Sequence, residues 1–230
     1  MILSVIIPVY NEKNTISEIL KRIREVDLHD LLFEKEIIIV DDNSTDGTKE
    51  VLRSLEGKYK IVYHQENQGK SAAIRTGLKY VTGDYVVIQD ADLEYDPQDY
   101  KKLLECVLKN DAKAVFGSRR LNSENKYSHR SFYLGGIFLN WAANILYRIH
   151  ITDESTCYKL FKTDFLKSLN LESKRFEFCP EVTAKTAKRG VKIYEVPIHY
   201  HPRHVAEGKK IRWKDGVTAL WTLIKYKFFD

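Results

Sequence analysis

Residues 90–97 read Asp-Ala-Asp-Leu-Glu-Tyr-Asp-Pro and follow directly on the apolar run Tyr85-Val86-Val87-Ile88. The run predicts a buried strand. Alternate residues of an extended segment face one side, so Asp90 and Asp92, with Glu94 as a third candidate, can share one cation. Such carboxylates are hard oxygen ligands, suited to magnesium or manganese carried in with a phosphorylated substrate. An isolated Asp-x-Asp is more often a solvated turn. This one gains weight from its place, because open α/β sheets bind ligands beyond the carboxyl ends of their strands. Asp90 and Asp92 are therefore the expected catalytic and metal-holding pair.

The elements that must position them alternate through the first 118 residues. Strands are expected at Leu3–Val9, Glu36–Val40, Lys60–His64, Tyr85–Gln89 and Ala114–Gly117, rich in Ile and Val on both faces. Helical patterns at Thr15–Val26, Gly47–Leu55, Ser71–Tyr80 and Pro97–Leu108 separate them, with Thr45-Asp46-Gly47 and Asp96-Pro97 as helix starts. This alternation predicts an α/β fold with a parallel sheet covered by helices. The chain reads as a single domain, 1–230, with no internal repeat or dividing linker. A helix at Pro180–Lys188, stopped by Gly190, and a strand at Lys192–Val196 complete the pattern.

Composition narrows the classes. Hydrophobic residues make up 43% and charged residues 30%, ordinary for a globular protein, and the net charge is +5. That charge favours phosphorylated ligands or an anionic surface, and is too small and dispersed to imply nucleic acid. Cys106, Cys157 and Cys179 are odd in number and far apart, so neither a disulfide framework nor a zinc knuckle is expected, and reduced thiols in a cytosolic setting are the default. Met1 runs straight into a strand-like segment, unlike a signal peptide. No apolar stretch reaches the ~20 residues that cross a bilayer.

Three further segments end or open elements on the same sheet edge as Asp90. They are Pro8-Val9-Tyr10-Asn11-Glu12, Val40-Asp41-Asp42-Asn43-Ser44-Thr45-Asp46-Gly47-Thr48 and Asn67-Gln68-Gly69-Lys70-Ser71. In this order and spacing they resemble the family 2 glycosyltransferases, whose fold is the nucleotide-sugar-binding glycosyltransferase A type, and the resemblance covers essentially the whole chain. Asp153-Glu154-Ser155-Thr156-Cys157-Tyr158-Lys159-Leu160-Phe161, Phe178-Cys179-Pro180-Glu181 and Glu195-Val196-Pro197-Ile198 are similar to polyprenyl- and dolichyl-phosphate sugar synthases. The chain departs from these in having Cys157-Tyr158-Lys159 where Gly-Phe-Arg is frequent, and Glu207-Gly208-Lys209-Lys210 where Gly-Glu-Ser-Lys is frequent.

The resemblance implies a metal-dependent, inverting hexosyltransferase that uses a nucleotide sugar of the GDP-mannose or UDP-glucose type, with Mn2+ or Mg2+ stabilising the diphosphate leaving group. It also implies that Pro8, Tyr10 and Glu12 border the nucleotide and that Asp42 accepts hydrogen bonds from base or ribose. Lys70 is placed near base or diphosphate, though its segment equally suits a plain helix-start turn. Gly69-Lys70-Ser71 is not a P-loop, since the glycine that should precede the four residues Gln65-Glu66-Asn67-Gln68 is missing. On this reading 1–118 is the nucleotide-sugar half and 119–230 the acceptor half.

The acceptor decides whether a base is needed. A hydroxyl must lose a proton to a nearby carboxylate, for which Asp153 and Glu181 are candidates. A lipid phosphate is already ionised and needs positioning instead, for which Arg119, Arg130 and Arg203 offer paired donors. In that case Asp153 and Glu181 order loops or hold basic groups. The runner-up is transfer to a hydroxyl of a glycan. The reading from another class is a non-catalytic nucleotide-binding, membrane-docking module. A nucleotidylyltransferase would need an N-terminal glycine-rich loop, and residues 1–20 contain no glycine. His199, His201 and His204 lack the acidic or cysteine partners of a zinc site.

Two segments bear on the membrane. In Phe132–Ile149, Gly136, Asn140, Asn144 and Arg148 form one narrow polar stripe on an otherwise apolar helix. It suits either a buried core helix or a helix in a membrane interface. The tail Val217–Phe229 is amphipathic and carries Lys225 and Lys227. Together they predict a peripheral protein at the cytoplasmic face of a membrane. By resemblance, a membrane-anchoring partner is a further candidate contact.

Overall fold

In the computed structural model of the chain, the described residues are 1–126, 130–203 and 213–229, the side chains of residues 130–132 and 213 apart. Strands β1 (Ile2–Val9), β2 (Glu34–Asp41), β3 (Lys60–Tyr63) and β4 (Tyr85–Ile88) pair in parallel. Strands covered on both sides need apolar residues on both faces. Accordingly Leu3 to Ile7 of β1 and all of β4 are buried. Helices α1 (Ile16–Glu25), α2 (Thr48–Arg53), α3 (Lys70–Leu78) and α4 (Tyr100–Asn110) connect or follow them. In α1, Ile16, Ile19, Leu20 and Ile23 recur at helical spacing and are all buried, while Glu18 and Arg22 pair on the outer face at 2.8 Å.

After β5 (Ala114–Ser118) come α5 (Arg130–Tyr147), β6 (Lys159–Lys162), α6 (Thr163–Ser168), α7 (Phe178–Lys188), β7 (Ile193–Pro197) and α8 (Trp213–Phe228). Among the described residues the sheet has seven strands in the order β3-β2-β1-β4-β6-β5-β7. It is mostly parallel. The departure is β6, which lies between β4 and β5 and runs antiparallel to both. Neither β6 nor α6 is marked in the sequence. Four residues are too few to show a period, and β6 becomes a strand only because two neighbours satisfy its backbone on both edges.

Of the expected polar stripe, Asn140 and Asn144 face inward, whereas Arg148 is exposed just past the end of α5. Asn140 Nδ2 and Asn144 Nδ2 donate to Ile151 O at 2.8 and 2.9 Å, while Asn144 Oδ1 accepts from Ile151 N and Asn140 Oδ1 from Glu154 N. One side of the helix packs Ala142, Ala143 and Tyr147 with Leu223 and Tyr226 of α8 and Ala184 of α7. Leu134, Phe138, Trp141 and Ile145 are left more than half exposed, as are Val217, Trp221, Phe228 and Phe229 at the other end of the chain. The helix is thus core on the side that meets α7 and α8, with its two amides satisfying buried backbone, and apolar and exposed on the other side.

The start of α3 meets the segment before α7. Ser71 N donates to Arg175 O at 2.8 Å and Ala72 N to Lys174 O at 2.9 Å, so carbonyls from a distant loop cap the helix. Gly69 makes this approach possible. Its φ is +93°, and a Cβ there would stand 2.6 Å from Lys174 O. Gly57 has φ +85° with nothing within 4 Å of its would-be Cβ. Gly69→Ala should therefore lower stability in urea by about 2–3 kcal/mol, against about 1 kcal/mol for Gly57→Ala. Equal losses would show that the docked loop contributes nothing.

Candidate active site

The strand β4 ends at Ile88, and Asp90 and Asp92 lie on a turn rather than on a continuing extended segment. This corrects the expectation of alternate strand positions. Leu93 adopts a left-handed φ of 65°, reversing the chain, and Asp92 Oδ1 accepts from Glu94 N at 3.2 Å. Beneath the turn, fully buried Gln89 donates from Nε2 to Asp90 O at 3.0 Å. Its Oε1 accepts from Tyr100 OH at 2.5 Å and Tyr158 OH at 2.6 Å. A packed amide thus fixes the turn from below.

Each carboxylate meets a cation. Lys70 Nζ, at the start of α3, lies 2.5 Å from Asp90 Oδ1 and 3.6 Å from Cys157 Sγ. Arg203 donates from Nη1 and Nη2 to the Glu12 carboxylate at 3.2 Å each, and from Nη2 to Asp92 Oδ2 at 3.1 Å. Glu94 is drawn aside. Its Oε1 accepts from Arg203 N at 2.8 Å and its Oε2 from Tyr200 OH at 3.0 Å. Glu94 is thus engaged by the segment after β7, as Asp90 is by Lys70 and Asp92 by Arg203. Burial, then the charges of Asp90 and Glu94, push the Asp92 carboxyl up to about 7 against the pull of Arg203.

The ends of β1 and β2 share this edge through the register Val9 with Asp41. Pro8 and Tyr10 are half-buried there, and Glu12 is buried against Arg203. Asp42 has a different task from open ligand contact. Its Oδ1 accepts from His64 Nδ1 at 2.7 Å and Gln68 N at 2.9 Å, and its Oδ2 from Gly69 N at 2.8 Å. It organises the turn that delivers Lys70. Sequence reasoning missed Gln89, His64 and Tyr200. Only Tyr200 carried a signal, standing between His199 and His201, for which a structural or acceptor-loop role is expected ahead of a zinc site.

On the other side of the edge, Arg119 grips Asp153. Its Nε and Nη2 donate to the two carboxylate oxygens at 2.7 Å each, and its backbone N adds a third bond at 3.0 Å. The guanidinium also lies 5.0 Å from the Tyr200 ring centre. Burial raises the Asp153 carboxyl, but Arg119 outweighs it and holds the group below the ordinary carboxylate range. Glu181 is fully buried away from this pair, accepting from Glu172 N, Ser173 N, Tyr226 OH and Lys185 Nζ at 2.7 to 2.9 Å. The Arg130 side chain lies outside the described residues, as do His204, Glu207, Gly208, Lys209, Lys210 and Arg212.

Removing one member of a buried, bidentate pair strands the other. Arg119→Ala should cost about 3–5 kcal/mol of folding stability. The double variant Arg119→Ala/Asp153→Ala should lose less than the two single losses combined. Additive losses in chemical denaturation would show that the two residues are not coupled.

Residues 4–169 match the family described as Glycosyl transferase family 2. The chain is 31% identical over 217 residues to the undecaprenyl-phosphate mannosyltransferase of Micrococcus luteus, covering 89% of this chain and 85% of that one. It is 30% identical over 214 residues to the dolichol-phosphate mannosyltransferase of Pyrococcus furiosus, covering 91% of this chain and 59% of that one. It is 29% identical over 204 residues to a low-salt glycan biosynthesis hexosyltransferase of Haloferax volcanii, covering 87% of this chain and 48% of that one. The chain thus spans only about half of the length of these last two relatives. Among solved structures, glucosyl-3-phosphoglycerate synthase from Mycobacterium tuberculosis, crystallised with Mn2+, UDP-glucose and phosphoglyceric acid, superposes with a TM-score of 0.73 at 20% identity, over 98% of this chain and 79% of that one. That likeness concerns the fold, which is of the glycosyltransferase A type. By the match over most of its length, the chain belongs to glycosyltransferase family 2.

Proposed function

We propose that this chain moves a hexose from a nucleotide sugar of the GDP-mannose or UDP-glucose type onto a polyprenyl phosphate, inverting the anomeric centre, at a membrane surface. The relatives named for dolichol and undecaprenyl phosphate support this acceptor. The observation that carries it is the commitment of the two candidate bases. Asp153 is spent on Arg119, and Glu181 on four donors around its own loop. A hydroxyl acceptor needs a free base, whereas an ionised phosphate needs only orientation.

In the step proposed, an acceptor phosphate oxygen forms a bond to the anomeric carbon. The bond from that carbon to the diphosphate breaks, and its electron pair leaves with the nucleoside diphosphate. No proton changes hands. Asp90 and Asp92 suit a divalent cation, being hard donors close enough for the charge of one to raise the other. Magnesium or manganese held there supplies positive charge to the leaving group. Lys70, which balances Asp90, would meet the base or diphosphate, with Arg119, Arg130 and Arg203 orienting the acceptor phosphate. Pro8, Tyr10, Glu12 and the Asp42 turn border the nucleotide.

The exposed apolar faces of α5 and α8 support a peripheral position at a membrane surface, in our reading its cytoplasmic face. Lys225 and Lys227 near the end of α8 add attraction to anionic lipid. Among the described residues no helix is long and apolar enough to cross a membrane.

The reading is tested by release of nucleoside diphosphate from UDP-glucose and GDP-mannose, with and without a polyprenyl phosphate. Strong stimulation by the lipid phosphate is expected, and transfer only to alcohols would replace it with the hydroxyl reading. Protons compete with a cation for Asp92, so Mn2+ affinity should fall as pH drops through about 7. Asp92→Asn should weaken Mn2+ binding and flatten this pH dependence in calorimetry. Flotation with anionic vesicles should be salt-sensitive and should weaken in Trp141→Glu/Trp221→Glu. A protein that stays with the soluble fraction in both forms would show that these faces are not the anchor.

A further inference from the structure

The run Glu195-Val196-Pro197-Ile198 enters none of the steps above. In the structure Glu195 lies in β7, opposite Phe116 of β5, and its carboxylate reaches the loop that follows α5. Its Oε2 accepts from Thr152 N at 2.7 Å and its Oε1 from Asp153 N at 3.0 Å. Two oxygens on two successive amides set the direction of the chain at Asp153. Glu195 is half-buried, and burial together with the nearby Asp153 charge pushes its carboxyl up against the pull of these amides. The enclosed carboxylate is answered by neutral donors, the amides of the loop that carries Asp153.

Its consequence lies one residue on. Asp153 holds Arg119 by Nε, Nη2 and backbone N, and the Tyr200 ring closes over the guanidinium. With Nε and one Nη2 proton engaged, the outer donors of the fork are aimed as a unit, the arrangement that matches phosphate oxygens. The loop has other anchors. Asn140, Asn144 and Lys159 hold the peptide groups of Ile151, Glu154 and Thr156, but the amides of Thr152 and Asp153 are bonded to Glu195.

We infer that Glu195 is a positioning residue, which aims Arg119 at the acceptor phosphate by fixing the Thr152–Asp153 backbone that presents Asp153. The aim at phosphate depends on the acceptor reading above, whereas the hold on Arg119 does not. Two measurements separate them.

The first is the Arg119 Nε–H resonance in 15N spectra, assigned by its loss in Arg119→Lys. Glu195→Gln keeps the size but replaces one acceptor oxygen by an NH2 that faces an amide. The resonance should broaden and its exchange with solvent should quicken about tenfold, the loss of a charge-assisted bond. Glu195→Asp, which keeps two acceptors on a shorter stem, should fall between. UDP and GDP affinity should stay near the wild-type values, which checks folding, while the melting temperature should fall only modestly for the one amide left unpaired. An Arg119 signal unchanged in both variants overturns the inference.

The second uses farnesyl phosphate as acceptor with UDP-glucose or GDP-mannose as donor. Glu195→Gln should raise KM for farnesyl phosphate about tenfold while kcat and the donor KM stay within about twofold. A fall in kcat at unchanged acceptor KM overturns the positioning role. If the Arg119 signal responds to Glu195→Gln but Arg119→Lys leaves the farnesyl phosphate KM unchanged, Glu195 still positions Arg119 and the phosphate reading is what fails.

Discussion

Glu12, Asp90, Asp92 and Glu94 crowd one edge of the sheet, and their mutual repulsion in a partly buried place is the constraint that the site is built around. Two cations answer it, and both come from far along the chain. Lys70 arrives at the head of α3, on a turn that Asp42 organises. Arg203 arrives on the segment after β7, which is pinned over the edge by Tyr200 and His201 on Glu94 and by His199 on Asp99. The compensation is incomplete, since Asp92 still has its carboxyl pushed up to about 7. A site with carboxylates in excess of nearby positive charge is suited to receive more of it.

The Arg119 side of the edge is organised by a different problem, the backbone of residues 151–157. This stretch joins α5 to β6, and side chains take up most of its polar groups. Asn140 and Asn144 come from α5, Glu195 from β7, Lys159 from β6 and Tyr95 from the turn region, its hydroxyl receiving Cys157 N at 3.1 Å. Lys159 is fully buried and its ammonium holds the carbonyls of Glu154 and Thr156 at once. The stretch presents Asp153 to Arg119 at one end and Cys157 to Lys70 at the other. It therefore touches both groups of cations.

The inward amides of α5 stand opposite its outward aromatics. The side of the helix that carries these amides also buries Ala142, Ala143 and Tyr147 against α7 and α8, and Leu134, Phe138, Trp141 and Ile145 on the opposite side face out. The same helix thus contributes hydrogen bonds and small apolar side chains to the interior and large apolar area to the surface. A pattern that reads as amphipathic in either direction takes its orientation from what it is packed against.

The sequence by itself determined the strand edge and its chemistry. Continuous Ile and Val runs can only be strands covered on both faces, and the polar segments that end them must then gather at one edge, so Asp90, Asp92, Glu12, Asp42 and Lys70 were legible as neighbours. Local pattern carries that information because burial and period act over a few residues. Only the tertiary structure decided the partners. The insertion of β6 antiparallel between β4 and β5, the turn through Leu93, the engagement of Glu94 by the segment after β7 and the pairing of Arg119 with Asp153 all depend on residues brought together from distant parts of the chain. Charge pairing and backbone satisfaction are settled by distance in space, and spacing along the sequence holds no record of it.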